Sequence, residues 1–444
     1  MSLQYLSDKE SHPSQAHRYP VTAVCWAYSD TRDQEPPPSP AQGVVLSGDT
    51  NGNILAWDPR TAAAYRPLPR SHTAAISSIT TNHAGSLALS SDALGGVALW
   101  DLGPFHTALA EEARAGNRGE KETDDLEAAT ADANGNATGT DTPPSRPLPV
   151  ADGISLLVHQ CDSLPQSVAA TSSSDSTLSH AYKTALHPTL PLFASVGQSA
   201  AVSLHSLGST VAAAGRLFGE LISSADVVDA GDFGLALAFD PAGGRLAVST
   251  LRGRVHVYAV VEDGLALVLE STFADHPSPV RALSFSSTGH LYAGGDDRIL
   301  TIHDVKHTFP GPCQTQTQVQ VQVQVEASTV AVAALTGHKG SILATAPQPS
   351  SESRIVASIS ADQTVKMWDL ATNPKSCVYT AAEQAPVLAF CFQPLAATSL
   401  SAPPAHSAMN ATSASAGASG FGTASRFVTA SLDGRLRFYR SAGV

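Results

Sequence analysis

The sequence predicts an all-β fold: a seven-bladed β-propeller filling residues 1–444 as a single domain, closed by an N-terminal strand and interrupted by disordered insertions. Three observations carry this expectation. The stretch SISADQTVKMWDLA (358–371), a tight turn followed by an alternating strand and a terminal Trp-Asp, has relatives that bring the number of such marks to seven. Each mark follows a second apolar strand ending in small residues, and usually a third before that. The marks lie 43, 105, 53, 45, 65 and 71 residues apart, and low-complexity chain fills the intervals that exceed the period of a four-stranded repeat.

Taken in order, the seven marks end at Trp57, Trp100, His205, Tyr258, His303, Trp368 and Tyr439. The strands before them read VVLSG, LALSS, LFASV, RLAVS, LYAGG, RIVAS and RFVTA. The innermost strands read VTAVCW, AISSIT, YKTALH, LALAFD, VRALSF, SILATA and VLAFCF. Apolar residues at alternate positions, punctuated by Gly, Asp, Asn and Pro, are what half-buried strands require. Outer strands are expected at 217–223, 265–272 and 330–337. No strand follows Tyr439, so the last unit must borrow one, and LQYLSD at 3–8 is the unassigned candidate. Sheets that cannot bury both faces alone stack radially, and pairing the chain ends shuts the ring.

Three insertions fall between units. Residues 104–150 are acidic, with nine acids against three bases from Glu111 to Asp141; 307–327 alternate Gln with Val; 395–424 are Ala, Ser and Gly. The first and last lack the apolar surface to offset ordering entropy and are expected to be disordered. The second has a period-2 pattern whose Val face should be partly covered if it forms a strand.

Composition limits the functions. With 43% apolar and 15% charged residues the chain is globular, and its formal charge of −13 argues against a direct grip on nucleic acid. No run approaches eighteen apolar residues and the start has no signal-peptide pattern, so no membrane association is expected. Five widely spaced cysteines without C-x-x-C are expected to be reduced thiols. No phosphate loop, dinucleotide fingerprint, H-E-x-x-H or nucleophile elbow occurs, so neither an enzyme nor a cofactor is expected.

A histidine precedes the first strand of four units: His17, His72, His276 and His338. In the sixth unit, His338, Ser360, Asp362 and Trp368 have the spacing for a buried hydrogen-bond chain of imidazole, hydroxyl, carboxylate and indole, which fixes blade geometry. The histidines would sit on separate blades, so no metal site is expected. Six residues before each mark the turn carries Asn51, Leu94, Ser199, Arg252, Asp297, Asp362 and Asp433, and the blades lacking the Asp are expected to lean on apolar packing.

VRALSFSSTGHLYAGGDDRILTIHDVKHT, LTGHKGSILATA, SRIVASISADQTVKMWDL and TASLDGRLRFYRSAG together resemble the WD-repeat subunit of the superkiller (Ski) complex, whose animal and plant relatives also serve the Paf transcription-elongation complex. The likeness covers the chain from about 233 onward, and AHRYPVTAVCW with the first two blades more loosely. It implies a non-catalytic scaffold, cytoplasmic with nuclear residence open. Its partners would be a tetratricopeptide-repeat protein and an RNA helicase, in an assembly that feeds mRNA to the exosome for 3′-to-5′ decay. Fungal relatives also serve meiotic recombination. A ubiquitin-ligase adaptor is a further interaction role for such a propeller.

Inner strands begin at the rim of the central channel. Counting back along them gives Thr22, Ile76, Tyr182, Leu235, Arg281, Leu343 and Leu388 as candidate partner-binding residues, a largely apolar rim of the kind protein hot spots use. The resemblance matches Tyr182 to a rim Trp of the family and sets Thr22 where some relatives have Trp.

Overall fold

A computed structural model describes residues 5–27, 43–65, 67–103, 106, 156–160, 181–197, 201–208, 217–226, 232–261, 266–305, 331–350, 354–372, 375–394 and 426–441. The insertions at 104–150, 307–327 and 395–424 lie outside these residues, His106 apart.

The described strands form seven sheets. Blade 1 comprises Val21–Ala27, Val44–Asp49 and Ile54–Trp57. Blade 2 comprises Ile76–Thr81, Leu87–Asp92, Gly96–Asp101 and Leu156–Gln160. Blade 3 holds Ala181–Leu186, Leu192–Gly197, Ala201–Ser206 and Leu221–Asp226. Blade 4 holds Gly234–Phe239, Arg245–Thr250, Val255–Val261 and Ala266–Phe273. Blade 5 is Val280–Phe285, His290–Gly295, Leu300–Asp304 and Ala333–Leu335. Blade 6 is Ile342–Pro347, Ile355–Ser360, Thr364–Asp369 and Ser376–Ala382. Blade 7 joins Val387–Phe392, Arg426–Ser431 and Leu436–Ser441 to the N-terminal strand Tyr5–Glu10.

Every sheet is antiparallel and ordered from the inner strand outward, and each inner strand touches those of the neighbouring blades until the seventh returns to the first. The expected closure by the N-terminus is therefore present. Tyr5 pairs with Ser441 and Glu10 with Arg437. Tyr5 is buried, with its ring 5.0 Å from Phe427 and 5.3 Å from Tyr379, so the strand is anchored by aromatic packing as well as by its ladder.

Blade 1 departs from the four-stranded plan. Its outer edge is covered by irregular chain, in which Tyr65 N–H donates to Ala56 O at 2.8 Å and Leu68 N–H to Ile54 O at 3.1 Å. Pro67 and Pro69 cannot donate to a ladder, which explains why this cover is not a regular strand.

Apolar clusters lie mainly between blades. Ile355, Met367 and Ala381 of blade 6 meet Val387, Phe390 and Phe427 of blade 7, for example. Close approach demands glycine at two junctions. A Cβ on Gly48 would lie 2.6 Å from the Ile76 side chain, and one on Gly294 would lie 2.6 Å from Ile342.

Candidate functional site

Where both are described, the turn between the second and third strands of a blade lies on the same face as the loop leading into its inner strand. Their backbones are bonded there: Thr50 N–H donates to Pro20 O, Ala93 N–H to Ala75 O and Leu432 N–H to Pro386 O. Buried side-chain chains hold this face in shape. In blade 6, Trp368 Nε1–H donates to Ser358 Oγ (2.8 Å), which bonds His338 Nε2 (2.8 Å), and His338 Nδ1–H donates to Asp362 Oδ2 (3.1 Å). With Asp362 ionised, Nδ1–H of a neutral ring donates to it and Nε2 is left to accept from the Ser358 hydroxyl. Burial holds the imidazole below its ordinary range, while bonds from Thr364, Lys339 N–H and His338 outweigh burial and hold the Asp362 carboxyl at about 2.

The hydroxyl in this chain belongs to Ser358, not to Ser360 as expected from spacing. Two residues of strand advance the chain by about 7 Å, which carries Ser360 past the indole to the turn. There its Oγ accepts from Asp362 N–H at 3.1 Å. Ser358→Ala is expected to cost about 1–3 kcal/mol, because the indole N–H and the imidazole lose their shared partner inside the sheet. Ser360→Ala should cost about 1 kcal/mol. Urea midpoints of the two variants compare these directly, and equal losses would contradict the assignment.

Blades 1 and 2, expected to lean on apolar packing because their turns lack the Asp, carry the same chain. Trp57 and His17 share Ser47 (2.7 and 2.7 Å), and His17 bonds Asp49 at 3.0 Å. Trp100 and His72 share Ser90 (2.8 and 2.7 Å), and His72 bonds Asp92 at 3.0 Å. The carboxylate comes from the end of the second strand, two positions before the turn residue inspected in the sequence, and still reaches the ring. In blade 5, His276 bonds Asp297 (2.7 Å) and Thr301 (2.9 Å), and His303 bonds the same threonine at 2.9 Å. Both nitrogens of all four pre-strand histidines are thus engaged within the fold.

Blade 7 substitutes a buried acid. Glu383 stands four residues before Val387, as His338 stands before Ile342. Its Oε1 accepts from Tyr439 O–H (2.6 Å) and Thr429 O–H (2.8 Å), while Oε2 pairs with Arg437 Nη1 at 3.0 Å. In blade 3, His205 takes the aromatic position, bonding Ser195 at 2.9 Å and donating from Nδ1 to Gly219 O at 3.1 Å.

Each inner strand has a bulge near its start. The register skips Thr22, Ser77, Tyr182, Leu235, Arg281, Leu343 and Leu388. Six of these are the rim residues expected from the sequence, while Ile76 is not. Ile76 is 1% exposed and packs beneath Gly48, and Ser77 takes the bulged position in its place. The blade 2 inner strand runs through Thr81, one residue beyond the expected end, so counting back from Thr80 falls one short. A bulge bends the strand and turns one side chain out of the pleat, so these seven positions share one geometry around the channel. Thr22, Ser77, Arg281, Leu343 and Leu388 are partly buried and Leu235 is buried; the Tyr182 side chain lies outside the described positions. Arg281 makes a bidentate pair with Asp296 (2.6 and 2.8 Å), which holds that carboxyl below its usual range.

Outside the bulges the same face presents Tyr19, Leu94, Leu251 and Leu432, each nearly half exposed. The turn that carries Leu432 lies against the loop that carries Tyr19: a Cβ on Gly434 would fall 2.4 Å from the His17 carbonyl and 3.2 Å from that of Tyr19. The opposite face holds a groove of about 420 Å³ between blades 2 and 3, lined in part by Leu99, His187 and Pro191. Its His187 has both ring nitrogens occupied, Nε2 donating to Gly243 O and Nδ1 accepting from Leu190 N–H, each at 2.9 Å. No three metal-ligating side chains gather among the described residues, and no described helix is long and apolar enough to cross a membrane.

Comparison with known families finds the WD domain, G-beta repeat, at residues 267–304 and 329–369. No curated protein matches the chain significantly. Each matched span begins with the outer strand region of one blade and ends with the third strand of the next. In the last blade the outer strand is Tyr5–Glu10, paired with Leu436–Ser441. Together with the seven sheets and their recurring His, Ser, Asp and Trp chains, the matches identify WD40 repeats set in a seven-bladed β-propeller.

Proposed function

We propose that this propeller is a non-catalytic scaffold subunit of a superkiller-type complex, binding a tetratricopeptide-repeat protein that also carries an RNA helicase, in support of exosome-dependent 3′-to-5′ decay of cytoplasmic mRNA. The supporting observation is the bulged face: Leu343, Leu388, Tyr19, Leu94, Leu251 and Leu432 offer apolar contacts around the channel, and Arg281 is neutralised by Asp296. Apolar anchors ringed by satisfied polar groups suit a protein partner. The choice of complex rests on the sequence resemblance from about 233 onward. RNA is handled by the neighbours, in keeping with a net charge of −13.

Purification of the tagged chain followed by mass spectrometry tests this reading. A tetratricopeptide-repeat protein and a helicase should be recovered together, and recovery should collapse with Leu343→Asp/Leu388→Asp. Transcription-elongation factors recovered without them would overturn the assignment in favour of the nuclear role that the same resemblance suggests.

A further inference from the structure

The groove between blades 2 and 3, about 420 Å³, falls in the range of roughly 300–1,000 Å³ usual for ligand pockets. Leu99 and Leu207 line it from buried positions, and Leu87, Leu190 and Pro191 from more exposed ones. Asp101 is the one charged side chain among its described lining residues. His187 brings no competing positive charge, because burial lowers its basicity and both ring nitrogens are occupied by Gly243 O and Leu190 N–H.

Asp101 ends the third strand of blade 2 opposite Leu87, as Asp369 ends that of blade 6 opposite Ile355. Both carboxylates accept a backbone N–H from two residues on, Gly103 and Ala371, each at 2.9 Å. In blade 6, Arg354 also forks onto Asp369 with bonds of 2.8 and 2.6 Å. In blade 2 that place belongs to Ser86, whose carbonyl accepts from Leu102 N–H as the Arg354 carbonyl accepts from Leu370 N–H. Ser86 carries no charge, and its hydroxyl is bonded to Asn82 Nδ2 at 3.0 Å. Asp101 therefore opens onto the groove and meets no cation among the described residues.

We propose that this groove is a second docking site, which receives an arginine-containing segment of a partner polypeptide. The guanidinium takes on Asp101 the place that Arg354 holds on Asp369, and a neighbouring apolar side chain packs on Leu87 and Leu190. The site goes beyond the docking face proposed above and is independent of it. Charge complementarity selects the occupant: a carboxylate without its countercation in an apolar groove attracts a guanidinium and repels the phosphates of a nucleic acid.

Phage-displayed random linear peptides retained by the purified full chain but not by Thr189→Trp test the proposal. Thr189 is exposed on the groove, so an indole there fills the groove without entering the core. The selected peptides should carry an arginine beside an apolar residue and bind about tenfold more weakly to Asp101→Asn. Exchanging that arginine for citrulline should give the same loss on the unaltered chain, which keeps the test independent of how well the variants fold. Ser86→Arg should also block binding, by giving Asp101 the partner that Asp369 has. Leu343→Asp/Leu388→Asp should leave the affinity unchanged, and a loss there would assign the peptides to the other face and overturn the groove as their site. Peptides indifferent to both Asp101→Asn and the citrulline exchange would overturn the guanidinium contact. A selection that yields no peptide sensitive to Thr189→Trp would overturn the site itself.

Discussion

Arg437→Met is expected to lower the free energy of unfolding by about 3–5 kcal/mol, the range found when one partner of a buried ion pair is removed. Glu383 is fully buried, and Arg437 supplies its countercharge at 3.0 Å while also donating to Ser431 (2.9 Å) and Asp433 (2.6 Å). The same guanidinium reaches Glu10 of the N-terminal strand at 3.1 Å, so its loss weakens the closure of the ring as well. Glu383→Gln should be far milder, because the amide oxygen can still accept from Tyr439 and Thr429. The double variant Glu383→Gln/Arg437→Met should recover at least half of the loss, since no unpaired charge is left buried. Urea denaturation of the four chains measures this cycle. Additive single losses would show that Glu383 is not the charge Arg437 neutralises.

A falling pH should remove the contribution of His303 before Asp362 titrates, while Glu270, which burial raises to about 7, adds stability over the same range. Burial, with repulsion from His276, pulls His303 from the ordinary 6.5 down to about 4. A base depressed in the folded state takes up its proton first in the unfolded state, so its contribution is complete above about pH 6.5 and is lost as the pH falls to about 4. At about 1.4 kcal/mol per pH unit, the whole window is worth about 3 kcal/mol. His106, His187 and His338 shift in the same direction, again through burial. Asp362 acts later: its contribution persists above its ordinary 3.8 and disappears as the pH falls to about 2. His303→Phe retains the aromatic contact with Phe273, whose ring lies 4.2 Å away, and removes the titration. The stability difference between pH 7.5 and pH 4.5 should then shrink by about 2 kcal/mol. An unchanged difference would mean that His303 is not the group taking up the proton.

Blade number, the inner and middle strands and the N-terminal closure were legible because period-2 alternation and turn residues are local signals. The positions that went astray depend on geometry no local pattern carries. Ser358 and Ser360 share one face of a strand, and only the diagonal across to Trp368 selects between them. Asp49 and Asp92 do the work of Asp362 from a different position, since an imidazole can be reached from the strand end or from the turn. The rim fell one residue short in blade 2 because Thr80 and Thr81 are both polar and β-branched, leaving no alternation to mark the strand's end. Leu156–Gln160 escaped notice because the acidic insertion separates it from the strand it joins. Glu383 could have been found by asking what stands four residues before each inner strand, where His17, His72, His276 and His338 stand in other blades.

The account depends above all on the N-terminal strand completing the last blade. Leu6 faces Arg440 in that ladder, and opposed Cα atoms of an antiparallel pair lie about 4.5–5.5 Å apart, within disulfide range. Oxidation of Leu6→Cys/Arg440→Cys followed by peptide mapping should give an intramolecular 6–440 disulfide in the monomer. A chain that stays reduced at both positions, or that links them only between molecules, would contradict the closed ring.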